Sequence, residues 1–322
     1  MNKTHFAIVS TATLLVSTTA FSDTTLYGNL RFSLNSIDED TADGIDGIQG
    51  KDNVSLFGLK GSVGDKTKAF FHLQTGAPAD GNDGRAFQQR FFFGGLSGGF
   101  GKVAYGRMTN AYKYPGFKLD PFYNLSHIGA GGTYGAGGAT YGLSPATNGF
   151  TDNAVQYFTP SFGGLKINIG SYIDDTNEDE HGYNVGGQYK SGGFNVGVQF
   201  ASNGDTGTVP SVAVDGDAVR VHGGYDAGKW NVAASYEQID VGTTEDVGYV
   251  YLVGQYNLVE KTRLALALGS VDDGPAEGEG FTGGVFQTVA PATELYASYS
   301  TASIDTTDTD PSVFSIGAIH KF

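Results

Sequence analysis

Over most of its length the chain alternates one apolar residue with one polar residue. At 26–35, Leu26, Leu30, Phe32 and Leu34 share one parity with Gly28, while Tyr27, Asn29, Arg31, Ser33 and Asn35 share the other. Successive side chains of an extended strand point to opposite faces, so this segment has one greasy and one wet face. The pattern recurs at 165–173, 194–200 and 229–236, as in Phe194, Val196, Val198 and Phe200 against Asn195, Gly197 and Gln199. It predicts strands over 24–35, 52–63, 67–76, 86–96, 101–109, 151–160, 165–175, 182–191, 194–203, 217–226, 229–240, 247–257, 262–272, 281–290, 293–303 and 311–322. No helical template fits beyond the first 22 residues.

The connections fall into two classes. Gly64-Asp65-Lys66, 97–99, 161–164, 191–193, Ala227-Gly228 and Pro291-Ala292 are short and turn-like, whereas 37–51, 174–180, 203–217 and 272–279 are longer and acidic. Short turns at one end and long loops at the other are the layout of a transmembrane barrel. A soluble sandwich also alternates but has no reason to segregate its loops this way. Lipid offers backbone groups no partners, so strands in a membrane must close on themselves. The wet parity then lines a lumen holding Asn29, Arg31, Lys60, Gln74, Arg90, Gln156, Asn168, Gln188, Gln199 and Arg220. Tyr27, Tyr157, Trp230 and Tyr256, near strand ends, are candidates for interfacial girdles.

Composition narrows the class. Of 322 residues 50 are Gly, 22 Phe and 18 Tyr, and charged residues make up only 16 %, against about 25 % in an ordinary soluble domain. No apolar run past the first segment reaches helix-spanning length. Lys3, the apolar run 6–16 and the small residues Ala20 and Ser22 predict a cleaved signal peptide over 1–22, with the barrel domain at 23–322. Its removal takes away one charge, Lys3, and moves the net charge from −15 to −16. A chain this acidic repels nucleic acid. With no cysteine there is no disulfide framework or thiol nucleophile.

Six segments in order resemble the general trimeric porins of Gram-negative bacteria, most like those of Neisseria and Vibrio relatives. They are TLYGNLRFSLN at 25–35, SLFGLKGSVGDKTKAFFHLQT at 55–75, QRFFFGGLSGGFGKVAYGR at 89–107, AVQYFTPSFGGLKINIGSY at 154–172, GQYNLVEKTRLALALG at 254–269 and a terminal GAIHKF. The resemblance implies an all-β antiparallel barrel of about 16 strands in the outer membrane, passing small hydrophilic solutes and ions without catalysis or cofactor. It also implies a homotrimer in contact with lipid and lipopolysaccharide. Phe322 would close the segment read by the barrel-assembly machinery.

Residues 110–150 break the size pattern. A segment this long without alternation is usually functional or disordered, and in the family the loop after the fifth strand folds into the lumen and narrows it. The resemblance gives a basic wall of Arg31, Lys60, Arg90 and Arg107, the last placed past the end of regular strand because its parity points outward. Asn29, Leu56 and Gln156 stand where relatives often carry Lys or Arg. On the loop, Asp120 is the one acid between 109 and 151, with Lys113 and Lys118 nearby and Tyr112, Tyr114, Phe117, Phe122 and Tyr123 around it. Packing of these rings against the wall is the simpler expectation, a solute-stacking slide the sharper one. With the wall facing chiefly Asp120, weak selectivity follows, with a mild cation preference arising from the acidic vestibule, and Asp120→Asn should shift permeation toward anions more than removal of any acid in 38–46.

Other chemistry is sparse. Asp38, Glu39, Asp40, Asp43 and Asp46 fail the spacing of a Ca²⁺ loop because position 42 is Ala. No H-E-x-x-H or P-loop is present, and the six histidines show no metal spacing. An outer-membrane barrel enzyme and a secreted β-sandwich lectin or adhesin are the competing classes.

Overall fold

The computed structural model describes residues 23–40, 46–80, 87–125, 128–132, 134, 138–173, 181–204, 209, 212–242 and 245–322; the signal peptide expected at 1–22 lies outside them. Seventeen strands form one antiparallel sheet: β1 (Thr25–Asp38), β2 (Gly47–Asp52), β3 (Leu56–Val63), β4 (Thr67–Gly76), β5 (Gln89–Gly98), β6 (Gly101–Met108), β7 (Thr151–Phe158), β8 (Leu165–Tyr172), β9 (Gly182–Ser191), β10 (Phe194–Ser202), β11 (Asp217–Asp226), β12 (Trp230–Ile239), β13 (Val247–Val259), β14 (Thr262–Asp272), β15 (Gly278–Ala290), β16 (Thr293–Ile304) and β17 (Ser312–Lys321). β1 pairs with β17, from Asn29 opposite Lys321 to Asp38 opposite Ser312, so the sheet closes.

β2 and β3 are two halves of one stave. β2 pairs with the second half of β1 and β3 with the first, and the register slips by one residue between Phe32 opposite Asp52 and Asn29 opposite Leu56. An extra residue at Asn53–Ser55, with Val54 at φ +66°, makes a bulge that bends the stave. The barrel therefore has 16 staves, as the alternation predicts. One expectation needs correcting here: the acidic connection read at 37–51 is shorter, because Ile37 and Asp38 continue β1 and Gly47 to Lys51 pair back onto it.

Parity sets the two faces. Val196, Val198, Leu252, Leu264, Leu266 and Leu268 are exposed on the outside, while Ser33, Asn35, Gln156, Gln199, Ser235, Glu237 and Ser300 are buried inside. A soluble protein does not leave so many large apolar side chains in water, and an apolar band outside with polar residues inside suits lipid. Trp230 and Tyr256 lie opposite one another near one rim and are exposed outward, but Tyr27, expected in a girdle, points inward: its hydroxyl meets His72 Nε2 at 2.5 Å and accepts from Gln74 Nε2 at 2.7 Å. The alternation of Tyr27 with Leu26 outweighs its position near a strand end.

A test of the register follows from these faces. Val198 is 50 % exposed at the middle of β10, so Val198→Arg places a charge in hydrocarbon at a cost of about 2–4 kcal/mol. Gln188→Arg, on the inward parity of β9, is expected to assemble normally. Heat-dependent mobility of the folded barrel in gels measures both, and equal assembly of the two would refute the assignment of faces. Gln199, also inward, is a poorer control because it is only 2 % exposed and stands opposite Arg220.

Candidate functional site

The segment between Met108 and Thr151 crosses the inside of the barrel. It leaves β6, and its side chains pack on the far wall, from β11 to β16. It contains a short helix, α1 (Lys113–Leu119), and a 3-10 turn at Pro145–Thr147. No helical pattern is legible there because seven residues are too few for a period to show. α1 starts where Asn110 Oδ1 accepts the Lys113 N–H at 2.7 Å, and Pro115 sits in the first turn, where a missing N–H costs nothing.

Two buried carboxylates fasten the segment. Glu237 of β12 is fully buried opposite Arg220 of β11, and the two are bonded at 2.6 Å. Glu237 also accepts from the Tyr112 hydroxyl at 3.1 Å, the Ser144 N–H at 3.2 Å and the Ser144 hydroxyl. Arg220 donates to the Tyr112 carbonyl at 2.6 Å and to the Thr147 hydroxyl, and its guanidinium lies 4.4 Å from the Tyr112 ring centroid. A Cβ on Gly116 would come 2.6 Å from Arg220 Nη1, so α1 rests directly on the arginine.

Asp120 is the second fastening. Its carboxylate accepts from the Phe122 N–H at 2.8 Å, the Thr140 N–H at 2.9 Å, the Thr140 hydroxyl at 2.7 Å and the Tyr251 hydroxyl of β13 at 3.0 Å. Burial pushes its carboxyl above the ordinary range, and the donors from Thr140, Phe122 and Tyr251 pull it partly back. Asp120 is only 6 % exposed. It is turned into the contact with β13 instead of facing a basic wall, because four convergent donors offset the loss of water. Nearby, loop and wall backbones touch: Gly142 has φ +89°, and a Cβ on Gly269 would lie 2.1 Å from the Tyr141 carbonyl oxygen. Tyr141 donates to the Ala276 carbonyl at 2.6 Å.

The basic residues gather where the segment re-enters the wall at β7. Arg90, Arg107 and Lys113 surround the Phe150 ring, at 4.8, 5.5 and 4.8 Å from its centroid. Arg107 stands inside β6, not past its end; the register shift between Gly106 and Met108 falls on it. Its guanidinium reaches the Gln89 carbonyl at 3.1 Å and Asp152 at 2.6 Å. Lys113 donates to the Gly149 carbonyl at 3.0 Å. Burial, with Arg90 adding repulsion, lowers its ammonium pKa to about 7.

The other expected residues are more dispersed. Arg31 donates to the Tyr123 carbonyl at 3.3 Å and so touches the segment. Lys60 lies over Tyr27, 5.2 Å from its ring. Lys118 stands 5.5 Å from the Tyr114 ring, and Tyr114 is exposed, whereas Tyr112 is sealed under Arg220. Phe322 exchanges two backbone bonds with Gly28, at 2.9 and 3.1 Å. Glu237, Tyr251 and Phe150 are central to the site and had no part in the sequence reading.

A closed antiparallel barrel with an apolar exterior and a chain segment fastened across its inside has the architecture of an outer-membrane β-barrel. The model of the Gram-negative porins matches residues 8–318, and the chain belongs to that family. An outer membrane porin protein of Bordetella pertussis is 30 % identical over 248 residues, covering 73 % of this chain and 56 % of that protein, so the chain matches little more than half of its relative's length. Among solved structures, an anion-selective porin from Comamonas acidovorans superposes with a TM-score of 0.73 at 19 % identity, covering 93 % of this chain and 99 % of that one. OmpF of Salmonella typhi, in complex with daunomycin, gives 0.70 at 17 %, covering 93 % and 97 %. At these identities the two structures speak for the fold.

Proposed function

We propose that the chain is a passive outer-membrane channel for small hydrophilic solutes and ions, without catalysis, and that residues 110–150 set its narrowest passage. The observation that carries this is the course of that segment across the inside of the barrel, fastened through Glu237 and Asp120. The proposal includes a cleaved leader at 1–22, a homotrimer as in the family, contacts with lipid and lipopolysaccharide, and recognition of the segment ending at Phe322 by the assembly machinery.

We further propose a preference for anions. The mild cation preference expected from the sequence arises from the acidic vestibule, with Asp120 as the acid that faces the basic wall. Asp120 is buried against β13 and Glu237 is matched by Arg220, while Arg90 and Arg107 stay partly exposed beside Phe150, Arg107 paired with Asp152, and Lys113 lies buried next to them. At a narrow passage the nearest charges decide permeation, since acids on distant loops are screened over about 8 Å at physiological salt. In planar bilayers under a KCl gradient, the reversal potential is expected to lie on the chloride side; a potential on the potassium side would refute the reading.

Lys113 adds a pH dependence. Its folded pKa of about 7 lies below the ordinary 10.5, so the side chain is charged below neutrality and neutral above it. Anion preference should therefore fall between pH 6 and pH 9, and Lys113→Gln should flatten that fall. Folding is linked with the opposite sign. From pH 7 to 10.5 the unfolded chain holds the proton that the folded one has released, so stability rises with pH across that window.

A further inference from the structure

We infer that the inner wall formed by β3 to β7 is a track for aromatic carboxylates, alternating rings that take the apolar part of the solute with cations that take its carboxylate. This rests on the anion-passing channel proposed above and names a class of solute for it. Phe70, His72, Phe91 and Phe93 share the inward parity of β4 and β5, with His72 opposite Phe93 and Gln74 opposite Phe91. Their rings form one continuous chain: Phe91 to His72 at 4.7 Å, His72 to Phe93 at 5.2 Å, Phe93 to Phe70 at 6.3 Å, and Phe91 to Phe150 at 5.2 Å.

Both ends of the chain of rings are cationic. Lys102 of β6 stands 4.6 Å from the Phe70 ring, 5.3 Å from Phe93 and 5.7 Å from Phe158. At the other end are Arg90, Arg107 and Lys113 about Phe150. The rings are only partly buried, so ring surface still meets the lumen. A recess of about 320 Å³ opens beside Lys60, Phe70, His72, Phe93 and Lys102 near the short-turn rim, at the lower bound of cavities that hold small ligands.

Water-facing rings inside a barrel gain nothing from lipid, and packing among themselves leaves surface uncovered. A passing aryl group covers it in offset or edge-to-face geometry, while a neighbouring ammonium or guanidinium holds the carboxylate. A neutral sugar would use the rings and not the cations; a small inorganic anion would use the cations and not the rings. An aromatic anion uses both.

The test is block of the chloride current through the reconstituted full-length channel by three probes: benzoate, cyclohexanecarboxylate and benzylammonium. Benzoate is expected to half-block at a concentration about three- to ten-fold below that of cyclohexanecarboxylate, the range one ring pairing confers. Benzylammonium is expected to block least. Phe91→Leu with Phe93→Leu should bring the benzoate-to-cyclohexanecarboxylate ratio close to one, and Lys102→Gln should raise the half-blocking concentration of both carboxylates. Equal block by the two carboxylates in the unmutated channel overturns the track without any variant having to fold. So does block by benzylammonium as strong as that by benzoate, or a ratio unchanged in the double variant. The reversal potential, read in the same bilayers, separates the two proposals: a cation-selective channel overturns the anion reading, and indifferent block in an anion-selective channel overturns only the track.

Discussion

Glu237→Leu is expected to destabilise the protein by about 3–5 kcal/mol, the cost of leaving a buried charge without its partner. Arg220 is then enclosed with no carboxylate, and Ser144 and Tyr112 lose their acceptor in the same step. These groups tie both ends of the internal segment to β11 and β12, so the loss should appear as motion of that segment as well as in the unfolding midpoint. Single-channel records are expected to be noisier and of higher mean conductance. Urea unfolding can be followed by the emission of Trp230, the one tryptophan of the chain. Combining Glu237→Leu with Arg220→Met should recover much of the stability, because two apolar side chains replace two charges and no orphan is left. A single variant as stable and quiet as the parent would show that the segment is held elsewhere.

Asp120→Asn is expected to cost about 1–3 kcal/mol, the range for leaving a buried donor unsatisfied. The four donors are arranged as two pairs, each with one hydroxyl and one backbone N–H. An asparagine presents its carbonyl to one pair and its amide to the other. The hydroxyls of Thr140 and Tyr251 can rotate, but the N–H of Thr140 or of Phe122 must then point at another donor. The reversal potential, in contrast, should hardly move, because Asp120 does not face the lumen. A large shift toward anions with unchanged stability would restore Asp120 as an exposed member of the passage. Unfolding and a salt-gradient measurement on one preparation decide between them.

These two sites show what could and could not be read from the chain alone. The staves were legible because a membrane barrel enforces period-two alternation wherever lipid meets one face and water the other, and each strand carries that pattern locally. The stave split between β2 and β3 was not, because a bulge interrupts the period and the short outer half has too few residues to establish it again. Parity alone places Arg220 inward but does not name its partner. The signal was present: the tight turn at Ala227-Gly228 fixes the register of β11 on β12 and sets Arg220 opposite Glu237. The ion pair is thus encoded in the pairing of the two strands and not in their faces alone.

Asp120 failed for a different reason. An acid on a loop reads as solvated or functional unless its donors are known, and two of its four are backbone N–H groups that any sequence supplies. The third, the Tyr251 hydroxyl, lies 131 positions away. Contacts of that range are set by how the whole barrel closes and leave no trace in local pattern. The rings of β4 and β5 were visible individually, but their continuity with Phe150 required the return of the internal segment to the wall.

The seam between β1 and β17 also governs the order of events by which the molecule comes to exist. Asn29 is among the first residues of the barrel to leave the ribosome and Lys321 among the last, and each is the other's neighbour. Until the final strand arrives, the first has no partner along an entire side and offers a row of unbonded amides to any other extended chain. Closure cannot proceed from one end while synthesis continues, and contacts of such separation are slow to find. The cell must therefore keep nearly the whole polypeptide extended and shielded through its passage across the envelope. For this barrel the most hazardous interval is the wait before its first and last strands meet.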